Sequence, residues 1–217
     1  MRTNLLFHGV GQPRRALEQG EERVWISRGQ LHTFLDIVTD VPATISVDDG
    51  NISDVEEVLP TLVQRGLVAT FFVLAGRLDQ PGSLSRSAVV ELRDEGMRIG
   101  THGMDHRSWR GLQPREEERE LVVARQELSD LLGQAVEEAA CPFGAYDRRA
   151  LAQLRSHGYG RVHTSDGWPC RPDDWLQSRY SVGSHDDQRS VRAALLERPT
   201  VHHRVVQRAK AVWKRYR

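Results

Sequence analysis

The chain has 217 residues, with 30 Lys+Arg against 30 Asp+Glu and only 2 Cys. That length fits one large domain or two small ones and is enough for a substantial core. The charge balance leaves no global field to draw in nucleic acid or an anionic membrane, and two cysteines cannot build a disulfide framework.

The N-terminal MRTNLLFHGV holds only a three-residue apolar run, and no later segment approaches a membrane span, so the expected location is the cytoplasm. NLLFHG reads as a first strand. Ser27 and Gln30 form a capping-box pattern ahead of the amphipathic stretch LHTFLDIV. ATISVD is a second strand, running into Asp48, Asp49 and Gly50. Ser53 and Glu56 make another capping-box pattern before VEEVLPTLVQRG, which closes at Gly66. VATFFVL is a third strand with no polar face, as expected for one covered on both sides. A helix from Ser87 to Glu95 leads into the strand MRIGTHG. REEERELVVARQELSDLLG predicts a long exposed helix with a Leu/Val stripe, closing at Gly133. VEEAAC, RRALAQLRSHG and RVHTS follow as strand, helix and strand. The alternation predicts an α/β protein with a largely parallel sheet. No repeat or low-complexity linker divides it, so one domain is expected. Periodicity leaves a barrel and a doubly wound sheet both open.

Adjacent aspartates at a strand end repel, and one should titrate high unless a positive group sits nearby. IGTHGMDH offers His102 and His106, four residues apart and again just after a strand. Gly100 and Gly103 argue against a helix here, which places both imidazoles on a loop at a strand's C-terminal end. Two histidines and one carboxylate form a three-ligand set that suits zinc and leaves a position open for water. The same donors suit iron, cobalt or nickel. A dication bound there would also keep the second aspartate ionised. In α/β folds of either kind, ligands collect at the carboxyl ends of the strands.

With these residues the sequence resembles the polysaccharide deacetylase family, carbohydrate esterases whose shared region is named for the nodulation chitooligosaccharide deacetylase. The family's TFDDG stands as SVDDG at 46–50, its H-[ST]-x-x-H as HGMDH at 102–106, and its R-x-P-[YF]-G as ACPFG at 140–144. VEEVLPTLVQRGLVATFFVLAGRL also looks like the stretch between the first two motifs. The resemblance implies a distorted (β/α) barrel of about seven units, a catalytic domain over residues 1–199. It implies Asp49, His102 and His106 as ligands of a divalent metal, most often zinc, and Asp48 as general base. The backbone N–H of Phe143 would face the oxyanion. The implied reaction removes an N- or O-linked acetyl group from a carbohydrate or glycan precursor.

Two departures from the family pattern stand out. Ala140 occupies the position of the arginine that orients the catalytic aspartate, and Arg179 in LQSRYSV is the candidate replacement. No late apolar-His segment supplies the family's general acid, and His163, His185, His202 and His203 lack its surroundings. Both departures support an alternative reading, a catalytically impaired glycan- or metal-binding member of the same fold. His8 either lines the pocket or is a hydrogen-bonded structural histidine. Asp105 is a supporting partner for the ligands or a solvated charge. Trp168 and Trp175 form an aromatic wall or ordinary packing. Cys141 and Cys170 are expected in loops bordering the pocket, as inert buried thiols more readily than as zinc ligands. Residues 200–217, ending VVQRAKAVWKRYR, predict a basic amphipathic helix docked on the domain, with weak contact to an anionic membrane surface as the alternative. Nucleic acid is not an expected partner, and the oligomeric state is open.

Overall fold

Seven parallel strands close into a barrel in chain order: β1 (Asn4–Phe7), β2 (Thr44–Asp48), β3 (Ala69–Val73), β4 (Arg98–Thr101), β5 (Glu138–Ala140), β6 (Arg161–Thr164) and β7 (Leu176–Ser181). The computed structural model describes residues 3–41 and 43–196. Pairing of β7 back onto β1, with Asn4 opposite Arg179 and Leu6 opposite Ser181, makes the architecture a barrel rather than a doubly wound sheet. This closing strand is absent from the sequence expectations. LQSRYS has no Val, Ile or Thr, and its strand character comes from the two neighbours that hydrogen-bond it.

Local chemistry sets most helix boundaries. The Ser27/Gln30 capping box forms as expected and starts α1 (Arg28–Asp40), which buries Leu31, Phe34, Leu35, Ile37 and Val38 along one stripe. The second expected box does not form. Ser53 Oγ instead accepts the backbone N–H of Val10, and Glu56 pairs with Arg14. This segment opens as a π-turn over Asp54–Val58 before α2 (Leu59–Gln64). The next helix, α3 (Arg86–Asp94), begins earlier than expected because Ser85 caps it, accepting from Ala88 N at 3.1 Å. The charged segment forms α4 (Pro114–Glu117), a π-turn over Glu118–Val123, and α5 (Ala124–Leu132), and stops at Gly133 with φ 64°. Two further helices, α6 (Arg148–Ser156) and α7 (Gln188–Leu196), complete the layer outside the barrel.

The two-residue period of each strand sorts its side chains into two environments. Outward residues such as Leu5, Phe7, Ile45, Val47, Phe71 and Val73 pack with Leu31, Phe34, Leu62 and Leu128 of the helices into the main apolar core. A smaller cluster centres on Trp109, Tyr146, Leu154 and Val162. β3 is buried on both faces, as expected, although the barrel interior on one side of it is largely polar. Asn4 Nδ2 donates to Gln177 Oε1 at 3.0 Å, His163 pairs with Glu138 at 2.8 Å, and Arg179 lies 5.1 Å above the Phe72 ring. Gly100 makes room for that ring, since a Cβ there would lie 2.4 Å from Phe72.

The expected domain boundary at 199 and the basic helix over 200–217, with His202 and His203, lie outside the described residues. Among the described residues no helix is long and apolar enough to cross a membrane.

Candidate active site

The strand C-termini deliver the candidate residues, and unusual backbone angles aim them. Successive residues on a strand point to opposite faces, so Asp48 and Asp49 could not both face the barrel mouth on regular β geometry. Asp49 leaves that geometry with φ 81°, followed by Gly50 at 68°. His106 at φ 54° and Phe143 at 58° are similarly left-handed. Three of the four non-glycine residues with positive φ among those described thus line one cavity. Such strain persists only where surrounding structure imposes it.

Asp49, His102 and His106 offer three ligand atoms lying within 4.8 Å of one another. His102 Nδ1 is 2.9 Å from the carbonyl oxygen of Ala140, and His106 Nδ1 is 2.8 Å from a carboxylate oxygen of Glu18. Both partners can only accept, so each Nδ1 carries hydrogen and each Nε2 is left toward the centre. Asp49 Oδ1 lies 3.4 Å from both Nε2 atoms, is buried, and has no hydrogen-bond partner among the described residues. Two ring nitrogens and a carboxylate oxygen aimed at one another repel unless a positive charge sits between them. The titration tendencies agree. Burial lifts the Asp49 carboxyl, but the facing His102 and then the neighbouring imidazoles of His8 and His106 pull it far below the usual carboxylate range. Burial lowers His102, yet Asp48 and Asp49 raise it above an ordinary histidine. His106 is lowered by burial and then by the charge of His102. Two imidazole nitrogens and an ionised carboxylate oxygen, buried and facing one another, are a donor set that fits a divalent metal.

Asp48 has its own cation. Arg179 Nη1 and Nη2 donate to its two carboxylate oxygens at 2.6 and 2.7 Å, a bidentate pair buried on both sides. Arg179 also donates to Ser46 Oγ at 3.0 Å and to the Thr164 carbonyl. Burial by itself raises Asp48, and Arg179, then His102, override it to leave the carboxyl below its ordinary value. The guanidinium therefore comes from β7, while β5 ends in the small, buried Ala140.

A cavity of about 300 Å³ opens over these groups, with the 61% exposed Phe143 at its rim and its ring 4.3 Å from that of His106. His8 lines the wall, and its Nδ1 has no hydrogen-bond partner among the described residues. Other candidates fall elsewhere. His163 sits deeper in the barrel, paired with Glu138, and neither it nor His185 lines this cavity. Cys141 lines it, but Cys170 lies toward the opposite end of the barrel, bonded to Asn4 and Gln177. Trp175 packs in the smaller core beneath Arg155, and Trp168 is not on the cavity wall.

Asp105 turns away to pair with Arg119. Two carboxylates that sequence reasoning missed hold the ligand loop instead. Glu18 holds His106, and Glu120 accepts the backbone N–H groups of Met104 and Asp105 at 2.9 and 3.0 Å. Glu120 is fully buried although its helix reads as exposed. Only its position directly before the apolar Leu-Val-Val run hints at that. Asp54 was missed too. It is fully buried, neither carboxylate oxygen has a partner among the described residues, and burial together with Asp49 and Asp48 lifts it well above a normal carboxyl.

A family model described as polysaccharide deacetylase matches residues 38–162, more than half of the chain. A chitooligosaccharide deacetylase of Bradyrhizobium sp. (strain ANU 289) is 30% identical over 144 residues, covering 64% of this chain and 62% of that protein. A chitooligosaccharide deacetylase of Rhizobium leguminosarum bv. trifolii is 28% identical over 142 residues, covering 64% and 61%. The chain spans about half to three fifths of the length of such curated relatives. Among solved structures, the Streptococcus pyogenes deacetylase PplD in complex with acetate superposes with a TM-score of 0.76 at 15% identity, covering 90% of this chain and 98% of that one. A polysaccharide deacetylase from Bacillus cereus gives 0.75 at 18% identity, covering 89% and 69%. At those identities the structural likeness speaks for the fold.

Proposed function

The chain belongs to the polysaccharide deacetylase family, and we propose on that premise that it is a metal-dependent hydrolase removing an acetyl group from a carbohydrate or glycan precursor. One observation carries the reading. Asp49 Oδ1 and two imidazole Nε2 atoms converge beside an ionised Asp48, under a cavity large enough to admit an acetylated sugar ring. The acetyl group is N-linked in the first instance, an amide, with O-linked esters as the second substrate class.

Asp49, His102 and His106 hold the cation. A divalent metal there, most simply zinc, supplies Lewis acidity to the acetyl carbonyl and lowers the pKa of a water molecule toward about 7. Asp48 accepts the proton of the attacking water through a carboxylate oxygen. Arg179 keeps that carboxylate ionised and fixes its plane. The backbone N–H of Phe143 donates to the developing oxyanion, a contribution of roughly 3 to 4 kcal/mol for one such donor. His8 takes the role the late histidines do not fill, giving a proton from its ring to the departing amine. With Arg179 bonded to Asp48, the arginine missing at Ala140 no longer favours the impaired-binder reading.

Acetate release from a panel of N- and O-acetylated sugars and oligosaccharides, with and without chelator, tests this. Release that chelator abolishes and added zinc restores is expected. Stoichiometric metal without release from any substrate would move the assignment to a binding protein.

A further inference from the structure

We propose that Glu18, pinned by Arg77, is a positioning residue for the cation site, holding His106 in the single tautomer and orientation able to ligate. The inference rests on the metal-dependent reading above and extends it to a segment outside all three motifs. Glu18 lies between β1 and α1, 88 residues from His106. One of its carboxylate oxygens accepts His106 Nδ1–H at 2.8 Å, and the other pairs with Arg77 Nη2. Arg77 Nη2 also approaches His106 Nδ1, but at 3.5 Å, so the ring hydrogen belongs to the carboxylate contact. Both oxygens of Glu18 are therefore committed, and the side chain has little freedom left.

The backbone of Glu18 is held as well. Its N–H donates to Glu21 Oε2 at 2.8 Å, Glu21 is gripped by Arg15, and Arg15 donates to Asn51 Oδ1 at 2.8 and 3.0 Å. Asn51 stands two residues beyond Asp49. One bonded series thus ties the segment carrying Asp49 to the segment carrying His106. His106 needs such an external hold, because its φ of 54° is unfavourable for a residue with a Cβ. The two imidazoles are supported unequally. His102 leans on the neutral carbonyl of Ala140 and His106 on a carboxylate that is itself held by an arginine.

The test uses the full chain and measures zinc dissociation constants by chelator competition, with the melting temperature of the metal-free protein alongside. Glu18→Ala should weaken zinc about 10- to 100-fold, the range seen when such supporting partners are lost. Glu18→Gln, which keeps an acceptor but not the charge, should fall between the parent and Ala. Because Gln preserves shape, it reports even where the Ala variant folds poorly. A scaffolding role alone would lower the melting temperature and leave both dissociation constants within about twofold of the parent, which would overturn the inference. A parent chain that binds no zinc would overturn both this inference and the metal-dependent reading. Tight parental binding beside unchanged variants would remove the Glu18 assignment alone.

Discussion

Arg179→Ala would strip Asp48 of guanidinium contacts at 2.6 and 2.7 Å while leaving its carboxylate almost entirely out of water. Removing one member of a buried pair costs about 3 to 5 kcal/mol, because the surviving charge stays desolvated. For a chain of this size that corresponds to a fall in Tm on the order of 10 °C. The pH dependence is a sharper test. In the parent, Asp48 sits below its ordinary value, so the folded state binds its proton more weakly than the unfolded state. That contribution is complete above the unfolded pKa of about 3.9 and disappears as pH falls through the folded value. Without Arg179, burial, the largest influence on Asp48, loses its main opponent and the folded value climbs. The sign then reverses, and the variant loses stability as pH rises past about 4. The stability gap between parent and variant should be smaller at pH 4 than at pH 7.5. Urea denaturation of the metal-free proteins at both values checks this. Acetate release should drop by roughly 10²- to 10⁴-fold, the scale of a lost general base, while metal content is kept. A stability gap that does not widen with pH, or parental turnover, would refute the account.

His8→Gln should retain stoichiometric metal and a parental melting temperature but lose roughly 10²- to 10⁴-fold in kcat on amide substrates; parental kcat would send the search for the proton donor elsewhere. Asp54→Asn should stabilise the protein near pH 7.5. Its raised carboxyl makes the folded state lose about 1.4 kcal/mol per pH unit as pH climbs from the unfolded value toward the folded one, and Asn has no charge to desolvate. The same urea titration should find little difference near pH 4, and destabilisation at pH 7.5 would mean that the carboxylate has an ionic partner. Gly100→Ala would place a methyl 2.4 Å from the Phe72 ring and should cost about 1 to 3 kcal/mol, read as a lower urea midpoint. An unchanged midpoint would mean that Phe72 moves aside freely.

The parts of this protein that residues alone determined are those written locally. Asp48, Asp49 and Gly50 at a strand end, His102 and His106 on a glycine-rich turn, and the Ser27/Gln30 cap each depend on neighbours a few positions away. Six of the seven strands were legible for the same reason, since β-branched runs and glycines mark them. The seventh was not. LQSRYS carries a weak strand signal and becomes β7 because β1 and β6 offer it hydrogen bonds. Closure of the barrel then decided the rest. It brought Arg179 across 131 residues to Asp48, Glu18 across 88 to His106, and His8 to the same cavity, and it filled the interior with polar groups that bond one another. No periodicity predicts such pairs. A buried charge is tolerable only beside a partner, and which partner stands beside it is fixed by the register of strands far apart in the chain.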